Sequence, residues 1–200
     1  MPRTSEQFQQ MRNEREDSIL HAGMYLFATR GYESTTADAI SKIANCSHGL
    51  VFHYYPTKDE LYKAVIEKMV KPIISKLIVT IDYDQKAKFM FIDSTNKFLA
   101  GLKNENDEFA WAIYLLLDMH LQGIIEPKVK NVESKKKVYD WVFEMIERGK
   151  QEGDFNELNS RELVVSILAL YKGLAYNRIK VGYKKFLCPS TEVILRMVLK

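Results

Sequence analysis

The sequence is poor in the residues that build several common architectures. Two cysteines, Cys46 and Cys188, are too few for a disulfide scaffold or a cysteine-rich zinc module. Nine glycines and five prolines in 200 residues leave few tight turns, which argues against a many-stranded β fold. Long apolar runs are also missing. The longest, 110–117, has eight residues, whereas a membrane-spanning helix needs about 20 apolar residues, so no membrane partner is expected. The first 17 residues are polar and carry no apolar core of a secretory leader, so a reducing, cytoplasmic setting is expected. Excess charge is small: 29 Lys and Arg against 26 Asp and Glu give +3, a weak hint of nucleic acid. There is no glycine-rich phosphate loop, metal-ligand cluster or nucleophile elbow. No cofactor and no metal are therefore expected, and an enzyme would need a catalytic set that the sequence does not display.

What is present is an ordinary globular mix, 46% apolar and 28% charged. Apolar residues recur at helical spacing almost throughout. Ile19, Ala22, Gly23, Leu26 and Phe27 mark one buried face of a helix predicted over 8–30, stopped by Gly31. Its polar first half, with Arg12, Glu14, Arg15, Glu16 and Asp17, is expected to fray. Thr35 and Thr36 can cap a short helix over 37–44 with Ile40, Ile43 and Ala44 inside. Asn45 tolerates the left-handed conformation that leaves a helix. Ser47 can cap a second short helix from His48 to Tyr54 or Tyr55, ended by Pro56. Thr57 to Glu60 reads as a capping box opening a helix that Pro72 should stop near Val70. Ile73 to Ile81 is β-branched but has no partner strand and is read as a helix end and loop. Further helices are predicted over 85–103, 107–122, 127–151, 160–180 and 189–200.

Two short helices joined by a tight turn and preceded by a longer one form a helix-turn-helix unit. The second helix must fit a major groove about 12 Å wide and present free N–H groups to phosphate at its start. Ser47 to Tyr55 fits. Gly49 lets backbone approach closely and Val51 faces the core, leaving His48, Leu50, Phe52, His53 and Tyr54 toward DNA. His48 and His53 lie on different helix faces without a Cys/His partner set, which argues against a metal.

The motifs at 19–36 (Leu26-Phe27, Gly31-Tyr32, Thr35-Thr36) resemble the TetR/AcrR family of bacterial transcriptional regulators. So do Ser47-His48-Gly49 and Tyr54-Tyr55-Pro56-Thr57-Lys58-Asp59-Glu60-Leu61, and the resemblance covers about the first third of the chain. It implies an all-α protein. An N-terminal three-helix helix-turn-helix DNA-binding domain (1–60) would precede a C-terminal helical ligand-binding and dimerisation domain (61–200). By position it assigns phosphate contacts to Thr36, Ser47, Phe52, Tyr54 and Lys58, and base-edge contacts to His48, Leu50 and His53. Phe52 departs from a usual tyrosine and loses its hydroxyl. Leu50 replaces a common Thr and favours a thymine methyl. Asn45 and Cys46 replace a Gly and a Val in the turn. The implied protein is a homodimeric repressor at a palindromic operator on double-stranded DNA. Its effector would act through the helix from Thr57 to Val70. An activator or effector-independent binder, and a helical enzyme or interaction module, are the alternatives.

For the effector, Phe98, Trp111, Tyr114, Met119, Trp141 and Met145 could line a pocket for an apolar or aromatic small molecule, or could be plain core. Asp118 could pair with a cationic ligand or face solvent. For the dimer seam, Leu163, Ile167, Leu170, Tyr171 and Leu174 make the 160–180 helix apolar on more than one face, with Ile194, Met197 and Val198 beside it. Cys46 reads as a small buried hydrophobe in preference to a redox switch.

Residues 1–60 carry six Lys and Arg against eight Asp and Glu, with none of either cation on the recognition helix. A shallow salt dependence of DNA binding is expected, because counterion release scales with neutralised phosphates. The basic excess lies in residues 172–200, with seven Lys and Arg against Glu192 alone. It reads as a solvated helix end and loop.

Overall fold

The computed structural model describes residues 5–77, 82–122 and 134–200. They form two compact units, Met1–Lys71 and Pro72–Lys200.

In the first unit α1 (Ser5–Arg30) buries the expected Ile19, Ala22, Gly23, Leu26 and Phe27, together with Leu20, Met24 and Ala28. Its polar half is helical where fraying was expected. Side-chain bonds one turn apart support it, from Gln9 to Asn13 and from Gln10 to Glu14, each 3.0 Å. The hydroxyl of Tyr54 donates to the Arg12 carbonyl at 3.1 Å and that of Tyr55 to Glu16 at 2.8 Å, tying the overhang down. Gly31 ends the helix at φ +83°, a conformation glycine adopts without a Cβ penalty.

Helices α2 (Ala37–Ile43) and α3 (His48–Tyr54) follow, then α4 (Lys58–Val65) with its capping box of Thr57 and Glu60. One expected core residue is misplaced. Ile43 is 45% exposed, because the buried stripe of α2 runs through Ile40, Ser41 and Ala44 and leaves Ile43 off its edge.

The unit extends past residue 60, where a boundary was expected, because α4 and the wide π turn Ile66–Val70 pack on α1. Leu61, Val65, Ile66 and Val70 are buried. Pro72 does not stop the helix, and α5 (Lys71–Ser75) carries it through. The Lys71 N–H reaches Ile66 O, a wider spacing than the α-helical one. That register relieves the crowding a proline ring imposes on the preceding turn.

Glu16 joins the two ends of this unit. Its carboxylate accepts from Tyr55 and Lys68, and both bonds hold its pKa below the ordinary carboxylate value. A depressed pKa contributes stability at neutral pH that is lost as pH falls through the depressed value. Glu16→Gln should thus cost about 1 kcal/mol at pH 7, and the difference from wild type should vanish in acid. Urea unfolding at both pH values measures it.

In the second unit α6 (Ala87–Leu102), α7 (Glu108–Gln122), α8 (Ser134–Gln151) and α9 (Ser160–Val181) lie close to expectation. The predicted start of α8 at Pro127 and the stretch 78–81 lie outside the described residues. Helix α9 packs against α7 and α8, and α6 touches both of those. Phe98 stacks on Tyr171 with ring centroids 4.0 Å apart.

The C-terminus differs from the expected helix over 189–200. Helix α10 (Thr191–Leu195) is short, and Leu199 then bridges antiparallel to Phe155. Asn156 N donates to Val198 O at 2.9 Å and Lys200 N to Asp154 O at 3.2 Å. The turn before α9 thus satisfies backbone groups that a longer helix would have paired internally.

Candidate nucleic-acid interface

The α2–turn–α3 unit is built from side-chain caps. Thr36 Oγ accepts from Ala39 N and Ser47 Oγ from Leu50 N, each at 3.2 Å. Both residues are exposed, and each hydroxyl oxygen, while accepting, keeps its own proton to donate. Asn45 turns the chain at φ 50°, and Cys46 N donates to Ser41 O at 3.0 Å. Burial pushes the Cys46 thiol pKa up, which suits a small hydrophobe better than a reactive thiolate.

The residues expected to read DNA separate by exposure. Val51 is buried at 2% and anchors α3. His48, Gly49, Phe52 and His53 are exposed, while Leu50 and Tyr54 are half-buried. His48 and Phe52 meet edge to face at 4.9 Å, so they present one combined surface. Gly49 has nothing within 4 Å of where a Cβ would stand, so no packing in the chain requires glycine there.

Two expected phosphate donors are already engaged. The proton of Tyr54 goes to the Arg12 carbonyl, leaving that hydroxyl only as an acceptor. Lys58 Nζ donates to Tyr32 O at 3.0 Å and Glu33 O at 3.3 Å, and lies 4.4 Å from the centre of the Tyr32 ring. A phosphate at Lys58 must share that ammonium.

A short capped helix presenting an apolar and imidazole surface, held on two others through a left-handed Asn, is the local geometry of a DNA reader. Residues 19–65 match the family described as bacterial regulatory proteins, tetR family. Over this segment, which holds the helix-turn-helix, the chain is similar to that family. It is 28% identical over 102 residues to the icaADBC biofilm operon negative regulator IcaR of Staphylococcus epidermidis. That match covers 51% of this chain and 52% of the relative, so it spans about half of its length. YhgD, an HTH-type regulator of Bacillus subtilis, is 20% identical over 82% of this chain and 84% of its own. The repressor Rv3405c of Mycobacterium tuberculosis is 40% identical over 58 residues, 29% of this chain and 31% of its own.

Among solved structures, the ketosteroid regulator KstR2 of Mycobacterium tuberculosis superposes with a TM-score of 0.66 at 15% identity, covering 93% of this chain and 95% of its own. A putative regulator from Saccharomonospora viridis, in complex with choline, gives 0.63 at 16%, covering 94% and 99%. At such identities the likeness concerns the fold alone.

The second unit contains a cavity of about 70 Å³. Of the expected pocket residues, Phe98 and Trp141 line it, with Phe91, Leu116, Ile167 and Tyr171 among the others. Trp111, Tyr114, Asp118 and Met145 do not, and the side chain of Met119 lies outside the described residues. Met145 is fully buried core. Asp118 neither awaits a cation nor faces bulk solvent, since Lys172 Nζ sits 2.7 Å away and both side chains are mostly buried. Burial pushes the Tyr171 pKa up to about 12, so this hydroxyl, 2.9 Å from Thr95 Oγ, brings no charge to the cavity.

The expected dimer residues also divide. Leu163, Ile167, Ile194 and Val198 are at most 5% exposed within the chain's own core, so a partner cannot reach them. Leu170, Tyr171, Leu174 and Met197 are half-buried. The outward face of α9 is instead Val165, Ala169, Gly173 and Tyr176. Its i, i+4, i+8, i+11 spacing was visible in the sequence, but so was the inner face, and periodicity cannot say which of two apolar faces is solvent-side.

Proposed function

We propose that the protein is a homodimeric transcriptional repressor that binds a palindromic operator and is released by a neutral, apolar or aromatic small molecule. The observation that carries the DNA reading is Gly49, exposed on a capped recognition helix with nothing within 4 Å of its missing Cβ. Open space on that face suits close approach of a phosphate backbone. Alanine at this site should leave the fold intact or strengthen it by up to about 1 kcal/mol through helix propensity. It should also weaken duplex binding at least ten-fold. Thermal melting alongside binding to duplexes selected from a randomised library separates the two effects. Unchanged duplex affinity would refute the close approach.

The dimer reading rests on α9. Ala169 and Gly173 are small enough for two copies of the helix to approach, with Val165 and Tyr176 at 43% and 45% exposure to cover. An isologous pairing places each residue beside its own copy near the axis.

The effector reading rests on lining chemistry. Among the described residues, none of those around the cavity is charged, which favours a neutral ligand over a cation such as the choline bound by the Saccharomonospora viridis protein. The space is small against the roughly 300 Å³ or more of a drug-sized pocket, so such a ligand must push the surrounding helices apart. An effector that prefers the opened state shifts the population toward it. A 100-fold loss of operator affinity needs about 2.7 kcal/mol of coupling. Release of selected duplex by neutral aromatic compounds, abolished on filling the cavity with Ser94→Phe, tests the assignment.

A further inference from the structure

We infer that Arg12 and Arg15, on the overhanging first half of α1, contact operator phosphates and supply the positive charge that the recognition helix lacks. This rests on the DNA-binding reading above. The charge deficit is the starting point. Helix α3 carries no Lys or Arg, and three other cations of the unit are occupied: Lys42 pairs with Asp38 at 2.8 Å, Lys68 pairs with Glu16, and Lys58 is held by two carbonyls. Among the described residues, Arg12 and Arg15 form no ion pair, and both are exposed.

Their placement is specific. Positions 8, 12, 15, 19, 22 and 26 of α1 follow alternating steps of four and three, one stripe of a helix. Its later members, Ile19, Ala22 and Leu26, are buried under the helix-turn-helix. Phe8, Arg12 and Arg15 continue the same face beyond the edge of the core, and Phe8 is 59% exposed. Contacts fix where that continuation lies. The Arg15 guanidinium comes within 3.5 Å of the Asn45 carbonyl, in the turn that leads into Ser47 and the start of α3. Tyr54, the last residue of α3, donates to the Arg12 carbonyl. The overhang therefore meets the turn that leads into the recognition helix and the last residue of that helix.

The acidic residues of α1 do not cancel this charge. By the same helical period Glu6, Glu14 and Asp17 fall on the opposite side. Glu16, the acid next to Arg12, is already engaged by Tyr55 and Lys68. Polyanionic duplex is the occupant that matches a cationic face continuous with the groove-reading surface.

The test uses the full-length chain and duplexes that the wild type enriches from a randomised library. Arg12→Ala/Arg15→Ala should bind the enriched duplex at least ten-fold more weakly, with the preferred sequence unchanged. The slope of log affinity against log salt should fall by roughly 0.9 for each phosphate that is no longer neutralised. Arg12→Lys/Arg15→Lys should keep most of the slope. Both arginines are exposed, so circular dichroism and the melting temperature should match wild type. Equal affinity and equal slope for the alanine variant would overturn the inference while leaving the DNA reading standing. A wild type that enriches no duplex would overturn both.

Discussion

Replacing Arg178 by methionine should lower the stability of the second unit by about 3 kcal/mol, with the denaturant slope unchanged. Arg178 is 1% exposed, among the most deeply buried large side chains of the protein. Its Nε donates to Leu102 O at 3.1 Å and its Nη2 to Asn104 O at 2.9 Å. Nη1 faces Asp107 at 2.7 Å, and the guanidinium lies 5.4 Å from the Tyr183 ring centre.

The carbonyls decide the magnitude. Leu102 O, at the end of α6, has no partner within its own helix, and Arg178 satisfies it. Methionine fills the volume but leaves that carbonyl buried without a donor. Asp107, at 46% side-chain exposure, can return to water, so Asp107→Asn should cost less than about 1 kcal/mol. Lysine at 178 keeps the charge but not the fork and should fall between. A chemical denaturation series on the three variants checks the order. Equal losses for Arg178→Met and Asp107→Asn would mean that the ion pair, not the carbonyls, dominates.

Gly149→Ala should destabilise by about 2 kcal/mol, and Gly149→Val by more, although either residue improves on glycine's intrinsic helix preference. A Cβ at Gly149 would stand 2.4 Å from the Phe155 ring. That ring is fully buried and meets Phe91 edge to face at 5.7 Å, so it has nowhere to retreat. The overpacking cost of roughly 1–3 kcal/mol exceeds the propensity gain of about 1. Trimming the ring with Phe155→Leu should recover part of the loss in the double variant, a coupling read from a thermal-melt cycle. The same change at Gly49 is expected to have the opposite sign. Both are glycines within helices, and nothing in the local sequence tells them apart.

The recognition unit was legible because its signals are local. Thr36, Ser47 and Thr57 cap the backbone one turn ahead of themselves, Asn45 turns by its own conformational tolerance, and Gly31 stops a helix at its own position. Each effect spans at most four residues, and the motifs stand at TetR-family spacing. The helices of the second unit were legible for the same reason, since periodicity is a property of one segment.

The failures share the opposite character. The basic tail was read as solvated, yet it contains Arg178, buried on the carbonyls that end α6, and Lys172, paired with Asp118. Phe98 and Trp141 line the cavity while Trp111 and Met145 do not, although all are large, apolar and helical. Pro72 was expected to end a helix that the preceding π turn lets continue. Sequence by itself determined most of the helices, the caps of the first unit and the helix-turn-helix. Tertiary structure alone decided which apolar face of α9 turns inward, which arginine is clamped and which is exposed, and which glycine has a ring against it. Those depend on what a distant segment places opposite each side chain, and no local pattern encodes that neighbour.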